Sequence, residues 1–273
     1  MKVALIQLSS SDDPAQNTET VCNQFDAAER QGAEFILTPE VTNCISTSRS
    51  RQMAVLRHES DDPTLAALRK KTREAGVWCL IGSLALKTGD ADGRFANRSF
   101  LLGPDGGIAA TYDKIHMFDV TVSETETYRE SKGYRPGERA VMAETEMGKI
   151  GLTICYDIRF PLLYRQLAQR GAQILTVPSA FSPVTGAAHW ETLLRARAIE
   201  TGAFVLAPAQ TGSHGKSRKT YGHSMVVSPW GVVLADAGTA TGVICVDIDL
   251  SEVENARGRI PSWRHDNRFE GPA

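Results

Sequence analysis

Three side chains in this 273-residue sequence combine a reactive type with an unusual position: Cys155, Glu40 and Lys114. Cys155 follows the run Gly151-Leu152-Thr153-Ile154 and is succeeded at once by polar Tyr156, Asp157 and Arg159. The pattern predicts a strand-to-helix elbow that lifts the thiol out of a sheet. The backbone N–H groups after it would then point at whatever the sulfur attacks, an arrangement suited to an oxyanion. Glu40 stands at a strand end beside Pro39, where burying a carboxylate is costly unless it is paired. Lys114, after a predicted hairpin strand, is a second charge directed inward. Taken singly, each has a plainer reading as an inert core thiol or a solvated surface charge. Because a free thiol is little ionised at neutral pH, a nucleophilic Cys155 needs a neighbouring base or cation.

The elements that must position these groups are legible as alternating apolar runs and helical faces. Val3–Ile6 reads as a buried strand. Asp13-Pro14 caps a helix whose apolar face carries Val21, Phe25 and Ala28 and which Gly32 stops. A strand Phe35–Leu37 ends at Pro39-Glu40, a helix covers Thr64–Ala75, and a strand covers Cys79–Leu84. Ser99–Leu102 and Ile108–Tyr112 flank Gly103-Pro104-Asp105-Gly106-Gly107, a hairpin by its turn chemistry. Residues 115–148 are polar and irregular and read as a long functional loop. Then come a strand Lys149–Cys155, a helix Leu162–Arg170, a strand Ile174–Val177, a helix Ala188–Thr201 and a strand Phe204–Leu206. A second hairpin, Met225–Val227 with Val232–Ala235, turns at Ser228-Pro229-Trp230-Gly231, and Val243–Ile248 is the last core strand.

Strands alternating with helices predict an α/β architecture. The segment Gln31-Gly-Ala-Glu-Phe-Ile-Leu-Thr-Pro39 has a counterpart in Arg170-Gly-Ala-Gln-Ile-Leu-Thr-Val-Pro178, and each is followed later by a Pro/Gly hairpin. Either two halves of one domain are duplicates, or two βαβ units are alike by chance. In both cases Glu40 and Cys155 lie at the C-terminal ends of strands, where the ligand crevices of α/β folds open.

Composition narrows the classes. At 42% hydrophobic and 23% charged, with a net charge of −2, the chain gives no sign of a nucleic-acid or membrane surface. The start, MKVALIQLSSSDD, reads as a first core strand rather than a secretory leader. Five scattered cysteines fit a reducing compartment, which together predict a cytoplasmic protein. No C-x-x-C, H-E-x-x-H or His-x-His spacing supports a metal site.

Together, Leu37-Thr-Pro-Glu40, Tyr112-Asp-Lys114-Ile-His116 and Gly151-Leu-Thr-Ile-Cys155-Tyr-Asp-Ile-Arg-Phe-Pro161 resemble, in order, the three signature motifs of the nitrilase (carbon–nitrogen hydrolase) superfamily. The resemblance spans essentially residues 1–273. It implies one domain with a four-layer α-β-β-α sandwich, a homodimer or higher homo-oligomer, and a catalytic set of Glu40, Lys114 and Cys155 with no metal or organic cofactor. In that setting Glu40 takes the thiol proton, Lys114 steadies thiolate and oxyanion, and the Tyr156 N–H is the second oxyanion donor. Glu130 matches a second glutamate that many members place beside the lysine; otherwise it is a surface loop residue.

The substrate implied is a small amide bearing a carboxylate. Arg159, four residues past the nucleophile, would face the pocket entrance, where its planar fork suits a carboxylate, or else it pairs with Asp157 or caps a loop. Arg159-Phe-Pro161, Pro178-Ser-Ala-Phe181, Thr185-Gly-Ala-Ala-His189-Trp-Glu191 and Tyr221-Gly-His-Ser resemble the branch that cleaves deaminated glutathione to 2-oxoglutarate and cysteinylglycine. A neighbouring branch, the ω-amidases acting on 2-oxoglutaramate, shares much of the pattern. Thr185 contacts substrate or caps the helix that follows it. His189 and Trp190 line the pocket or, for Trp190, fill the core. Lys216, Arg218 and Lys219 meet a peptide carboxylate or form a solvated loop. A catalytically silent partner-binding domain on the same fold is the alternative from another class.

Overall fold

Asp13 accepts hydrogen bonds from the N–H groups of Ala15 and Gln16, and Pro14 follows it at the first helical position. The helix thus started packs its Val21–Phe25–Ala28 face on a strand buried along nearly its whole length. Such local solutions build the computed structural model, which describes residues 1–122, 126–215, 218–265 and 269–272. The first half runs β1 (Lys2–Gln7), α1 (Pro14–Arg30), β2 (Phe35–Leu37), α2 (Arg49–Val55), α3 (Pro63–Ala75), β3 (Trp78–Lys87), β4 (Phe95–Leu102) and β5 (Ile108–Asp113). Three short strands follow, β6 (Asp119–Thr121), β7 (Thr127–Arg129) and β8 (Val141–Thr145). The second half runs β9 (Gly148–Leu152), α4 (Pro161–Gln169), β10 (Ile174–Thr176), α5 (Pro183–Thr201), β11 (Phe204–Ala207), β12 (Thr211–His214), β13 (Arg218–Tyr221), β14 (Met225–Val227) and β15 (Val233–Asp236). β16 (Gly242–Asp247) and α6 (Ser251–Arg259) complete the regular elements.

Two six-stranded sheets result, ordered β16-β1-β2-β3-β4-β5 and β8-β9-β10-β11-β14-β15. Position for position they match. β1-β2-β3 and β9-β10-β11 are parallel, and antiparallel strands flank each trio on both sides. The registers Val3↔Phe35 and Ile150↔Ile174 put the two similar segments at equivalent places, so the likeness of the halves extends to topology. Strand periodicity divides the side chains. Val3, Leu5, Phe35 and Leu37 face the second sheet, while Ala4, Ile6 and Ile36 pack under α1 and α3. On the far side Leu163, Leu167, Trp190 and Leu194 of α4 and α5 cover the second sheet. The layers are α-β-β-α, as the motifs imply.

Several expectations need correction. Residues 115–148 are not simply irregular: they hold the β6–β7 hairpin, a 3₁₀ turn at Glu130–Lys132 and β8, all too short and polar to show a period. α2 escapes notice because its seven residues bury only Gln52. β9 stops at Leu152, and Cys155 opens a 3₁₀ turn rather than ending a strand. α5 begins at Pro183, so Thr185 lies inside its first turn. The last strand, β16, pairs antiparallel with β1 at the edge of the first sheet and is only partly buried. Among the described residues no helix is long and apolar enough to cross a membrane, and all five cysteines are free.

The two halves come close at Gly82, where β3 breaks register with β4 between Ile81 and Leu84. A Cβ on Gly82 would sit 2.5 Å from Cβ of Pro178 and 2.6 Å from the Pro39 carbonyl, and would collide with the carbonyl of Thr38. This glycine therefore permits the close approach of the strand ends leading to Glu40 and to Ser179. Gly82→Ala is expected to destabilise the fold by about 1–3 kcal/mol and to lower turnover. Urea unfolding with kinetics on the folded fraction checks this, and an unchanged unfolding midpoint would contradict it.

Candidate active site

Glu40 leaves β2 through a tight turn in which Val41 has φ +47°, a left-handed conformation that a β-branched residue rarely adopts. The turn is held by β3. The Val41 N–H donates to Ser83 Oγ at 2.8 Å, the Thr42 N–H to the Ser83 carbonyl at 2.9 Å, and the Ser83 N–H to the Pro39 carbonyl at 3.2 Å. Gln210, reaching across from the second half, donates its amide to the Glu40 carbonyl at 3.0 Å. Cys155 has φ +49°. Its N–H donates to the Pro178 carbonyl at 2.9 Å. Both strained residues sit beside the reactive groups, which is where such conformations collect.

Asp157, fully buried, fastens the elbow. Its carboxylate accepts from the Ile154 N–H (2.9 Å) and Tyr112 Oη (2.6 Å), and from His116 through its N–H (3.0 Å) and Nδ1 (2.7 Å). The His116 ring stacks on Phe160 at 3.5 Å. One carboxylate thus pins the cysteine elbow to the segment carrying Lys114. Arg159 takes no part in this, so the alternative in which it pairs with Asp157 is set aside.

Lys114 continues the β5 pairing beyond its end, its N–H donating to the Asn97 carbonyl at 3.0 Å. Its ammonium, on a side chain only 2% exposed, donates to Glu40 Oε1 at 2.9 Å and to both oxygens of Glu130 at 3.0 and 2.9 Å. Asn97 Nδ2 bridges the two carboxylates, at 2.9 Å from Glu40 and 3.4 Å from Glu130. The Phe118 N–H binds Glu130 Oε2 at 2.6 Å, and the Ala180 N–H binds Glu40 Oε2 at 2.9 Å. Cys155 lines the same cavity as Glu40 and Lys114, and the Cys155 thiol and the Glu40 carboxyl influence each other's titration.

Electrostatics set the resting state. Burial pushes the Glu40 carboxyl up, but the charge and hydrogen bond of Lys114, with the influence of Cys155 and the hydrogen bond of Asn97, more than reverse this and hold it below its ordinary range. Burial works against the Lys114 ammonium, yet Glu130 and Glu40 keep it charged well past its ordinary value. Burial and then the Glu40 charge push the Cys155 thiol well up, with only partial relief from Lys114 and the Ala180 N–H. Two carboxylates surround one ammonium, so a thiolate would be a third anion. The arrangement holds a neutral thiol against an ionised base, ready to pass a proton as the sulfur attacks.

A cavity of about 500 Å³ opens over this cluster. Tyr156 and Thr185 line it. Arg159 and His189 do not: the Arg159 guanidinium lies 5.9 Å from the Tyr156 ring and 5.4 Å from the Phe181 ring, and contacts His189 Nδ1 at 3.3 Å. Arg159 is half-buried against two aromatic rings of the wall, and His189 is exposed beside it. Trp190 is core, donating its indole N–H to the His223 carbonyl at 2.8 Å. Arg218 lines the cavity, Lys219 is exposed, and Lys216 lies outside the described residues. Asn97, Phe118, Tyr128 and Arg49 are wall residues that sequence reasoning missed. A usable signal existed for Asn97, which faces Lys114 across the β4–β5 hairpin. Among the described residues no group of three or more His, Cys, Asp or Glu side chains could hold a metal ion.

Two outcomes follow from the electrostatics. Ultraviolet thiolate absorbance, read as wild type minus Cys155→Ala, is expected to be absent at neutral pH and to rise only above the ordinary thiol value of about 8.5; a neutral-pH thiolate would contradict it. The acid limb of kcat/KM, where Glu40 gains its proton, is expected below the ordinary glutamate value of about 4.3. Asn97→Leu, which removes a donor to both carboxylates, should raise that limb and lower kcat about 10- to 100-fold.

The comparisons with known proteins agree with this geometry. The sequence model described as carbon-nitrogen hydrolase matches residues 2–258. A deaminated glutathione amidase of Yersinia enterocolitica is 38% identical over 98% of this chain and 93% of its own. The nitrilase and fragile histidine triad fusion protein NitFhit of Caenorhabditis elegans superposes with a TM-score of 0.90 at 36% identity, covering 97% of this chain; this chain spans 64% of that longer one. A glutamate-to-glutamine variant of the amidase from Nesterenkonia sp. AN1, carrying the product of acrylamide addition at its active-site cysteine, superposes with a TM-score of 0.78 at 26% identity over 96% of this chain and 98% of its own. The chain belongs to the carbon–nitrogen hydrolase family and has its nitrilase-type sandwich fold, and it is a hydrolase of carbon–nitrogen bonds.

Proposed function

We propose that the chain, as a single domain over residues 1–273, is a cysteine-dependent amidase that hydrolyses deaminated glutathione to 2-oxoglutarate and cysteinylglycine. The observation that carries the reading is the Glu40–Lys114–Glu130 cluster against the Cys155 thiol, beneath a cavity whose wall is cationic. Glu40 and Glu130 are opposed there by Arg49, Lys114, Arg129, Lys132 and Arg218. That excess of positive charge suits an amide bearing carboxylates, and deaminated glutathione carries one at each end.

As Sγ attacks the amide carbon, Glu40 takes the thiol proton. Neutralising Glu40 loosens its hold on the ammonium, which turns a donor to the new oxyanion while Glu130 keeps it charged and in place. The Tyr156 N–H, which has no acceptor among the described residues, is the second donor. Collapse breaks the C–N bond, and the amine leaves with the proton from Glu40, so that a thioester remains at Cys155. Glu40, ionised again, draws a proton from water as it attacks the thioester, and returns it to the departing sulfur. No metal or organic cofactor is used.

Tyr156 and Thr185 contact substrate from the cavity wall. Arg159, with His189 at its side, packs on the rings of that wall and adds positive charge. The protein works in the cytoplasm on a small molecule, as a homodimer or higher homo-oligomer, without nucleic acid or membrane; sedimentation at working concentration tests the assembly. Hydrolysis of deaminated glutathione beside 2-oxoglutaramate, with Cys155→Ala as the blank, tests the chemistry. Preference for the former, abolished in the variant and accompanied by an acyl-enzyme mass in the quenched wild type, is expected. Turnover of 2-oxoglutaramate alone would make it an ω-amidase, and no Cys155-dependent turnover of either would overturn the reading.

A further inference from the structure

The cations around the cavity are not equivalent. Arg49 is exposed, stacks on Phe95 at 3.9 Å and donates to the carbonyls of Gly93 and Gly133. Arg129 is exposed and donates to carbonyls of its own hairpin, and Lys132 is exposed. Arg218, at the start of β13, is half-buried. One Nη donates to the Ala180 carbonyl at 3.0 Å and the guanidinium lies 5.4 Å from the Tyr128 ring centre. Its other N–H donors have no acceptor among the described residues, and no carboxylate pairs with it there. The nearby Glu126 carboxylate is taken by Tyr128 Oη at 2.6 Å and Ser182 Oγ at 2.8 Å, which fixes the ring that Arg218 covers.

A half-buried guanidinium with no counter-charge among the described residues is half of an ion pair. Its planar fork is preorganised by the carbonyl on one side and the ring on another, and matches a carboxylate with two N–H donors. Its place relative to the chemistry is set by Ala180. That residue's carbonyl holds the guanidinium, and its N–H holds the Glu40 base at 2.9 Å. A carboxylate seated on Arg218 is then a short chain away from a carbonyl carbon at Cys155. We propose that Arg218 is a specificity-determining residue that receives a carboxylate of the substrate. The inference deepens the amidase reading above and rests on it.

The test compares Arg218→Met and Arg218→Lys with wild type on deaminated glutathione, on 2-oxoglutaramate, and on glutaramide, which has no carboxylate. Arg218→Met is expected to lower kcat/KM about 10- to 100-fold, the worth of a lost charged hydrogen bond. The loss should lie mainly in KM, Arg218→Lys should recover part of it, and glutaramide should be unaffected. A loss on deaminated glutathione alone assigns the carboxylate of the departing peptide; a loss on both acids assigns that of the 2-oxo acid. Unchanged kinetics on both, or an equal loss on glutaramide, would overturn the proposal, the latter by showing that Arg218 merely props Ala180. Calorimetry needs no turnover. Cys155→Ala should bind 2-oxoglutarate or cysteinylglycine, and adding Arg218→Met should weaken that binding by a similar factor. Equal binding, or none in either protein, counts against Arg218 even where the amidase reading itself fails for want of Cys155-dependent hydrolysis.

Discussion

The site is organised around one buried ammonium. Lys114 is almost fully enclosed, and an unpaired charge there would be prohibitively costly. Two carboxylates repay its desolvation, but they then need donors of their own, since each has oxygen lone pairs to satisfy. Asn97 from β4, the Phe118 N–H beside β6 and the Ala180 N–H beyond β10 supply them. The charge cluster therefore requires the end of β2, the β4–β5 pair, the turn after β7 and the end of β10 to converge to within hydrogen-bond distance. The sandwich satisfies this because both sheets aim their parallel strands at the same edge of the molecule. Gly82, without a side chain, lets the ends come close enough.

The shared topology of the two halves accounts for the frame but not the chemistry. In the equivalence of the two halves Pro39 corresponds to Pro178, so Glu40 corresponds to Ser179. One half supplies the base and the other the nucleophile, from non-equivalent turns. Each of these turns carries a left-handed residue, Val41 or Cys155, at about 1–3 kcal/mol of strain. Ser83 and Gln210 restrain the first turn, and Asp157 the second. These restraints come from the opposite half, from the neighbouring strand or from within the elbow. The strained conformations therefore persist only in the folded protein.

What the sequence discloses and what it hides follow from this. Glu40, Lys114 and Cys155 are legible because each departs from a local pattern, a charge at a strand end or a polar break after an apolar run, whereas Glu130 is reached only through the family resemblance. The structure brings all of them together. The core strands are legible by continuous apolar runs, and α1 by its cap. Asn97 is hidden because a polar residue inside a strand looks like the solvent face of a hairpin; only the partner sheet shows that the face is covered. β6 and β7, three residues each, have too little length for a period, though Phe118 just before β6 and Tyr128 on β7 line the cavity. For Arg159 its distance in sequence from Cys155 does not reveal that its guanidinium packs 5.9 and 5.4 Å from the Tyr156 and Phe181 rings.

A protonated resting nucleophile has a consequence beyond catalysis. Oxidants and adventitious electrophiles react with thiolates far faster than with thiols. A Cys155 only 7% exposed, with its proton held by burial and by the anionic base beside it, is a poor target for either. Nucleophilicity arises only when a carbonyl carbon accepts electrons from sulfur while Glu40 accepts the proton. Burial and the Glu40 charge disfavour the thiolate, while Lys114 keeps Glu40 ionised and able to accept the proton at neutral pH. Adding a second cation beside the sulfur would ionise it, but would also weaken the base that must activate water for the second half of the reaction. Two carboxylates on one lysine suit a cycle in which a single base serves both steps.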